Sequence, residues 1–114
     1  MTNEEITKAI AKAAADKKAH SIVIMDMQGL MSSTDYFVIS SANTATQVRA
    51  IAENIEDELE RLGVTVGHKE GMREAEWALL DYGDVVAHVF KEDAREYYGL
   101  ERLWGDAKIT VYEE

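Results

Sequence analysis

Two threonines constrain most strongly what this chain can fold into. Thr2 stands three residues before Glu5, and Thr44 three residues before Gln47. At that spacing a hydroxyl and a carboxylate or amide reciprocally satisfy the free backbone amides that open a helix. After Thr2, the residues Ile6, Ala9, Ile10 and Ala13 recur at helical spacing, and Lys17 and Lys18 suit the negative end of a helix dipole. The spacing predicts a first helix over Asn3 to Lys18, with an alanine-rich stripe suited to close packing on a sheet. After Thr44, the residues Val48, Ile51, Ala52, Ile55, Leu59 and Leu62 form a second stripe, with Arg49, Glu53, Glu56, Asp57 and Glu60 turned to water. Gly63 ends this helix, because it takes the left-handed conformation after the last turn without a Cβ clash.

The rest of the chain alternates between strand and turn signals. Ser21 to Met27 is apolar on both faces and reads as a central strand. Asp35 to Ser41 contains the β-prone run Tyr36-Phe37-Val38-Ile39. Val64 to Val66 reads as a short strand. Glu76 to Asp81 and Val85 to Phe90 read as a hairpin around Tyr82-Gly83-Asp84. Asp93 to Trp104 is partly helical and interrupted at Gly99, and Ile109 to Tyr112 adds a small closing strand. Proline, internal repeats and linker-like tracts are absent. The reading is one α+β domain over residues 1–114, with a mixed sheet of about five strands flanked by helices.

Composition narrows the chemistry. Hydrophobic residues make up 46% of the 114, enough for a core without staples, and cysteine is absent, which removes disulfides and thiolate chemistry. The opening residues, with Glu4 and Glu5, do not form a signal peptide, so a cytoplasmic location is expected. The net charge is −10, and the last 45 residues hold twelve acids against five bases. Such a surface repels phosphate backbones and steers a basic protein toward itself. Little or no direct nucleic-acid binding is therefore expected, and no membrane association, since no apolar stretch approaches the ~20 residues needed to cross a bilayer.

Catalytic signals are weak. His68-x-Glu70 with His20 or His88 lacks any established zinc spacing, and neither metal nor cofactor is expected. Asp81 and Asp84 flank a turn, where aspartate also serves simply to bond the backbone, although an acid pair for nucleotidyl transfer is the alternative reading. No Gly-rich phosphate cradle precedes a helix. The aromatic residues speak more clearly. Seven of the nine (Trp77, Tyr82, Phe90, Tyr97, Tyr98, Trp104 and Tyr112) fall in the last 38 residues, interleaved with acids and with Arg95 and Arg102. Tyrosine, tryptophan and arginine are the types that dominate binding hot spots. The segment from Trp77 to Trp104 therefore reads as a protein-docking surface, with Phe90 and His88 assigned to the core.

Four blocks carry a family resemblance. They are Asp35 to Ile39, Glu70-Gly71, Trp77 to Phe90, and Arg95 to Trp104, in that order and spacing. Together they resemble the ribosomal silencing factor family, also called the Iojap family, over about residues 21–107. Ser40, Ala42 and Ala87 depart mildly from the family pattern, where cysteine, glycine and valine are usual. The resemblance implies a nucleotidyltransferase-like core without that enzyme's active-site motif. It also implies a homodimer that binds the large ribosomal subunit through the universal large-subunit protein fourteen. Docking there blocks joining of the small subunit and represses translation when nutrients are scarce. The residues expected at that contact are Glu70, Asp81, Asp84, Glu96 and Glu101 as complementary charges, with Trp77, Tyr98, Leu100 and Trp104 as apolar anchors.

Overall fold

The computed structural model describes residues 1–113. Both threonine caps form. Thr2 Oγ1 accepts from the Glu5 amide at 3.1 Å, and the Thr2 amide donates to Glu5 Oε1 at 2.8 Å. They open α1, Asn3–Asp16. Thr44 Oγ1 accepts from the Gln47 amide at 3.1 Å and opens α2, Ala45–Arg61. Here the box is half made, since the Gln47 carboxamide accepts from the Asn43 amide instead of that of Thr44.

The elements continue as β1 (His20–Asp26), β2 (Tyr36–Ala42), β3 (His68–Glu70), β4 (Trp77–Asp81), β5 (Val85–Lys91), α3 (Glu92–Tyr98), α4 (Leu100–Leu103) and β6 (Lys108–Val111), with α2 between β2 and β3. They build one six-stranded mixed sheet in the order β3-β4-β5-β2-β1-β6. Only β2 and β5 run parallel, and all other neighbours are antiparallel. The α+β class and the helix-flanked mixed sheet stand as read from the sequence, with six strands in place of about five. β1 is interior but lies second from an edge, between β2 and β6.

Three local readings need correction. Val64 to Val66 is not a strand. Gly63, at φ +88°, and Val64 finish a helix cap, with Val64 N donating to Leu59 O and Gly63 N to Glu60 O. The edge strand begins only after Gly67, whose amide bonds Asp81 O at 2.9 Å. Likewise α1 stops at Asp16, because Ala19 N and Lys18 N close the same motif on Ala14 O and Ala15 O, with Lys18 at φ +67°. No glycine announces that cap. Arg49 does not simply face water, since it donates to Met72 O at 3.1 Å and Arg73 O at 2.6 Å.

The two faces of the sheet are covered differently. On one face α1 and α2 seal a core of Ile6, Ile10, Ile51, Ile55 and Leu59 against Val38, Leu80, Val85 and Val89. The alanine-rich stripe of α1 lets it sit close, with Ala11 and Ala14 fully buried. The opposite face carries Val23, Met25, Phe37, Ile39, Val86 and Phe90, and its cover is short: Ala94 of α3, Leu100 of α4, Trp104 and Met31. Among the described residues no helix is long and apolar enough to cross a membrane.

Candidate functional site

Strand periodicity places the site. On β4, Trp77, Leu79 and Asp81 alternate onto the thinly covered face, each opposite Phe90, His88 and Val86 of β5. Glu70 of β3 lies opposite Leu79 and joins the same face. Gly71 sets the approach to it. Its φ is +76°, and a Cβ there would overlap the carbonyl oxygen of Trp77, so only glycine lets the chain pass this close to the strand that carries the tryptophan.

Trp77 is half-buried and is the centre of an aromatic group. Its ring stacks on Phe90 with centroids 4.9 Å apart and 29° between planes, and Tyr98 lies 4.8 Å away. Tyr97 meets Tyr98 edge-on at 5.1 Å. Tyr98 is 51% exposed and Tyr97 81%. Together with Glu76, Asp93 and Ala94 these two tyrosines line an open groove of about 360 Å³. Lys91 Nζ sits 3.9 Å from Glu76 and 3.8 Å from Asp93 beside it.

Beneath Trp77 lies His88, which is 3% exposed. The indole Nε1–H donates to His88 Nδ1 at 3.0 Å. Burial pushes the His88 pKa from 6.5 down to about 3, so the ring is neutral at physiological pH. An indole nitrogen only donates, so Nδ1 must be the unprotonated nitrogen and Nε2 carries the hydrogen.

Arg95 fastens the cover. Its guanidinium pairs bidentately with Glu101 (Nε to Oε1 2.9 Å, Nη2 to Oε2 3.2 Å) and donates through Nη1 to Ser21 O at 2.6 Å and Ser41 Oγ at 2.7 Å. One side chain thus ties α3 to α4 and both to the ends of β1 and β2. Such charge-assisted, forked bonds are the strong kind, and Arg95 is largely out of water.

The structure gathers most of the expected residues. Trp77, Tyr98, Leu100 and Trp104 lie on one face, with Glu70 and Asp81 at its β3–β4 border and Glu96 exposed on α3. Four of the five expected acids have internal partners. Glu101 holds Arg95, and Asp84 accepts from Asn3 at the start of α1, at 3.2 Å. Asp81 bonds the Gly83 amide at 2.8 Å within its own turn. Glu70 pairs with His68 at 2.9 Å on the exposed edge strand, and among the described residues no three His, Asp or Glu side chains come together as a metal-ligand set. Phe90 and His88 are core, as read from the sequence. Tyr82 and Tyr112 pack on the helix side, so two of the seven clustered aromatics leave the site. The expected contact set lacks Leu79, Glu76 and Asp93, while the sequence reads Tyr97 and Arg95 only as members of the aromatic- and arginine-rich segment. For Leu79 the two-residue alternation from Trp77 was the available signal.

A six-stranded mixed sheet, sealed by long helices on one side and showing a half-exposed aromatic face on the other, defines a class of small α+β domains built around one open face. The chain belongs to the ribosomal silencing factor family: residues 1–114 match the family model described as ribosomal silencing factor during starvation. A ribosomal silencing factor of Bacillus subtilis is 47% identical over 110 residues, spanning 96% of this chain and 93% of that protein. The chloroplastic Iojap protein of Arabidopsis thaliana is 35% identical over 98 residues, spanning 86% of this chain and 41% of that longer protein. The crystal structure of a protein from Chromobacterium violaceum matches with a TM-score of 0.90 at 33% identity, covering 100% of this chain and 95% of that one. Another, from Bacillus halodurans, matches at 0.85 and 37% identity, covering 96% of this chain and 100% of that one.

Proposed function

We propose that this protein is a cytoplasmic ribosomal silencing factor that docks on the large ribosomal subunit through a basic ribosomal protein, the universal large-subunit protein fourteen. Docking there blocks joining of the small subunit and represses translation under nutrient limitation. Family membership supports the ribosomal role. The observation that carries the docking face is the Trp77–Tyr98 pair, half-exposed over a buried aromatic base and bordered by Glu70, Asp81 and Glu96. Flat rings that keep a few fixed rotamers bring large contact area at low entropy cost, and acids at the rim speed encounter with a basic partner. Trp77, Tyr98, Leu100 and Trp104 are the anchors of this reading. Asp84 and Glu101, engaged within the fold, contribute to the field more than to contacts. Homodimerisation belongs to the same proposal.

The alternative of nucleotidyl transfer by Asp81 and Asp84 finds less support. The first carboxylate bonds its own turn and the second the start of α1, so the two are not aimed at one point.

Pelleting purified large ribosomal subunits with the wild type and with Trp77→Ala tests the proposal. The wild type co-pellets and weakens as salt rises, and the variant loses about 2 kcal/mol or more of binding while staying folded. Wild-type protein that stays in the supernatant at low salt defeats the reading, and a folded Trp77→Ala with full affinity removes that residue from it.

A further inference from the structure

His88 is an odd occupant of its place. It sits in the middle of β5, walled by Phe37, edge-on with centroids 4.5 Å apart, and by Phe90 and Trp77. Nδ1 accepts the indole hydrogen, while Nε2 is buried with no hydrogen-bond partner among the described residues. A buried, unpaired N–H carries a desolvation cost that a phenylalanine or leucine of similar volume would avoid. As a packing residue, histidine is therefore the poorer choice. What it supplies, and an apolar residue cannot, is an acceptor at a fixed point below the docking face. A half-exposed tryptophan without that acceptor has other rotamers open to it, with its N–H turned to water. With it, the indole is held in one orientation, flat on Phe90 and against Tyr98. An anchor already fixed in its bound pose loses less freedom on association.

We propose that His88 is a positioning residue of the docking face. It orders Trp77 by accepting its indole hydrogen, so that a basic ribosomal protein meets a preset anchor. This rests on the docking reading above. The test is a set of variants whose affinity for purified large ribosomal subunits is measured beside an exchange experiment on the free protein. His88→Phe keeps a flat ring, one atom larger, and removes the acceptor, and it weakens binding about tenfold, equivalent to about 1.4 kcal/mol. His88→Asn places Oδ1 where Nδ1 stood and restores affinity to within about threefold of wild type. On a Trp77→Phe background, which has no indole hydrogen to accept, His88→Phe changes nothing further. If His88→Phe fails to fold, His88→Leu serves as the acceptor-free protein. In the free protein the Trp77 indole N–H, identified as the signal lost in Trp77→Phe, exchanges slowly with solvent and at least about tenfold faster in His88→Phe. An equal loss of affinity on both backgrounds, or no loss in the native one, overturns the positioning role. A wild type that does not bind large subunits counts against the docking reading alone. The indole exchange then decides the role of His88, and an unchanged rate in His88→Phe overturns it.

Discussion

The two faces of one sheet are held by different forces. On the helix side, two long capped helices bury aliphatic side chains to zero or near-zero exposure, and the fastening is apolar packing spread over many residues. On the aromatic side the cover is two short helices of seven and four residues. Its apolar contact is small (Ala94, Leu100, Trp104 and Met31) and is fastened by the polar Arg95–Glu101 fork with its bonds to β1 and β2. The Trp77–His88 bond holds the half-exposed ring within the sheet. Distributed apolar packing makes a face stable and leaves nothing to bind. A few directional bonds under a half-open face leave rings exposed yet ordered. Damage to the first face should therefore read out as stability, and damage to the second as local order and affinity.

The contrast can be broken or sharpened by mutation. The largest effect is expected on the helix side, where Ile51 is fully buried. Ile51→Ala should lower unfolding free energy by about 3–4 kcal/mol in denaturant titration, with the affinity of the molecules that remain folded unchanged. A smaller effect follows Arg95→Ala, about 2 kcal/mol globally. In hydrogen exchange it should deprotect the amides of α3 and α4 far more than those of α1 and α2. Uniform deprotection would erase the distinction between the faces.

The pH dependence comes next. His88 has its pKa lowered from 6.5 to about 3 by burial, so between those values the unfolded chain binds a proton that the folded chain does not. Acidification therefore favours unfolding, with stability falling by about 1.4 kcal/mol per pH unit once the pH is well below 6.5. His88→Phe should lack that slope between pH 6 and 5, where the carboxylates stay ionised (about 4 for an ordinary one). A variant with the wild-type slope would show that His88 is accessible to protons and not sealed beneath Trp77. The smallest effect is a gain. Lys18 holds a left-handed conformation at φ +67° without the short, locally bonding side chain of an asparagine or the freedom of a glycine to ease it, and Lys18→Gly should stabilise by about 1 kcal/mol in thermal unfolding.

Much of the helix side was legible in the sequence, and less of the aromatic side, for physical reasons. Caps and stripes are local signals, and Thr2, Thr44 and Gly63 stand where the structure uses them. The hairpin was local as well, and the alternation along β4 and β5 follows from it. The fixings of the aromatic side are not local. Arg95 reaches Ser41 across 54 residues and Ser21 across 74, which no spacing announces. The hairpin puts Trp77 and His88 on one face, but their diagonal bond depends on side-chain rotamers that spacing does not give. Lys18 closes a helix in a conformation that normally signals glycine, which is why α1 read two residues too long. Val64 and Val66 are β-prone by type, yet Val64 serves as the tail of a cap and both pack half-buried on the helix side. Tyr82 and Tyr112 shared the aromatic clustering in sequence, but strand alternation and the turn sent them to the opposite face.

Since the proposed consequence of docking is a blocked subunit interface, the most direct measurement is sedimentation of purified small and large ribosomal subunits through a gradient, with and without the protein. The account predicts that the protein migrates with the large subunit, that the joined fraction falls as protein is added, and that Trp77→Ala loses both effects together. A joined fraction that stays constant while the protein is bound to the large subunit would contradict it.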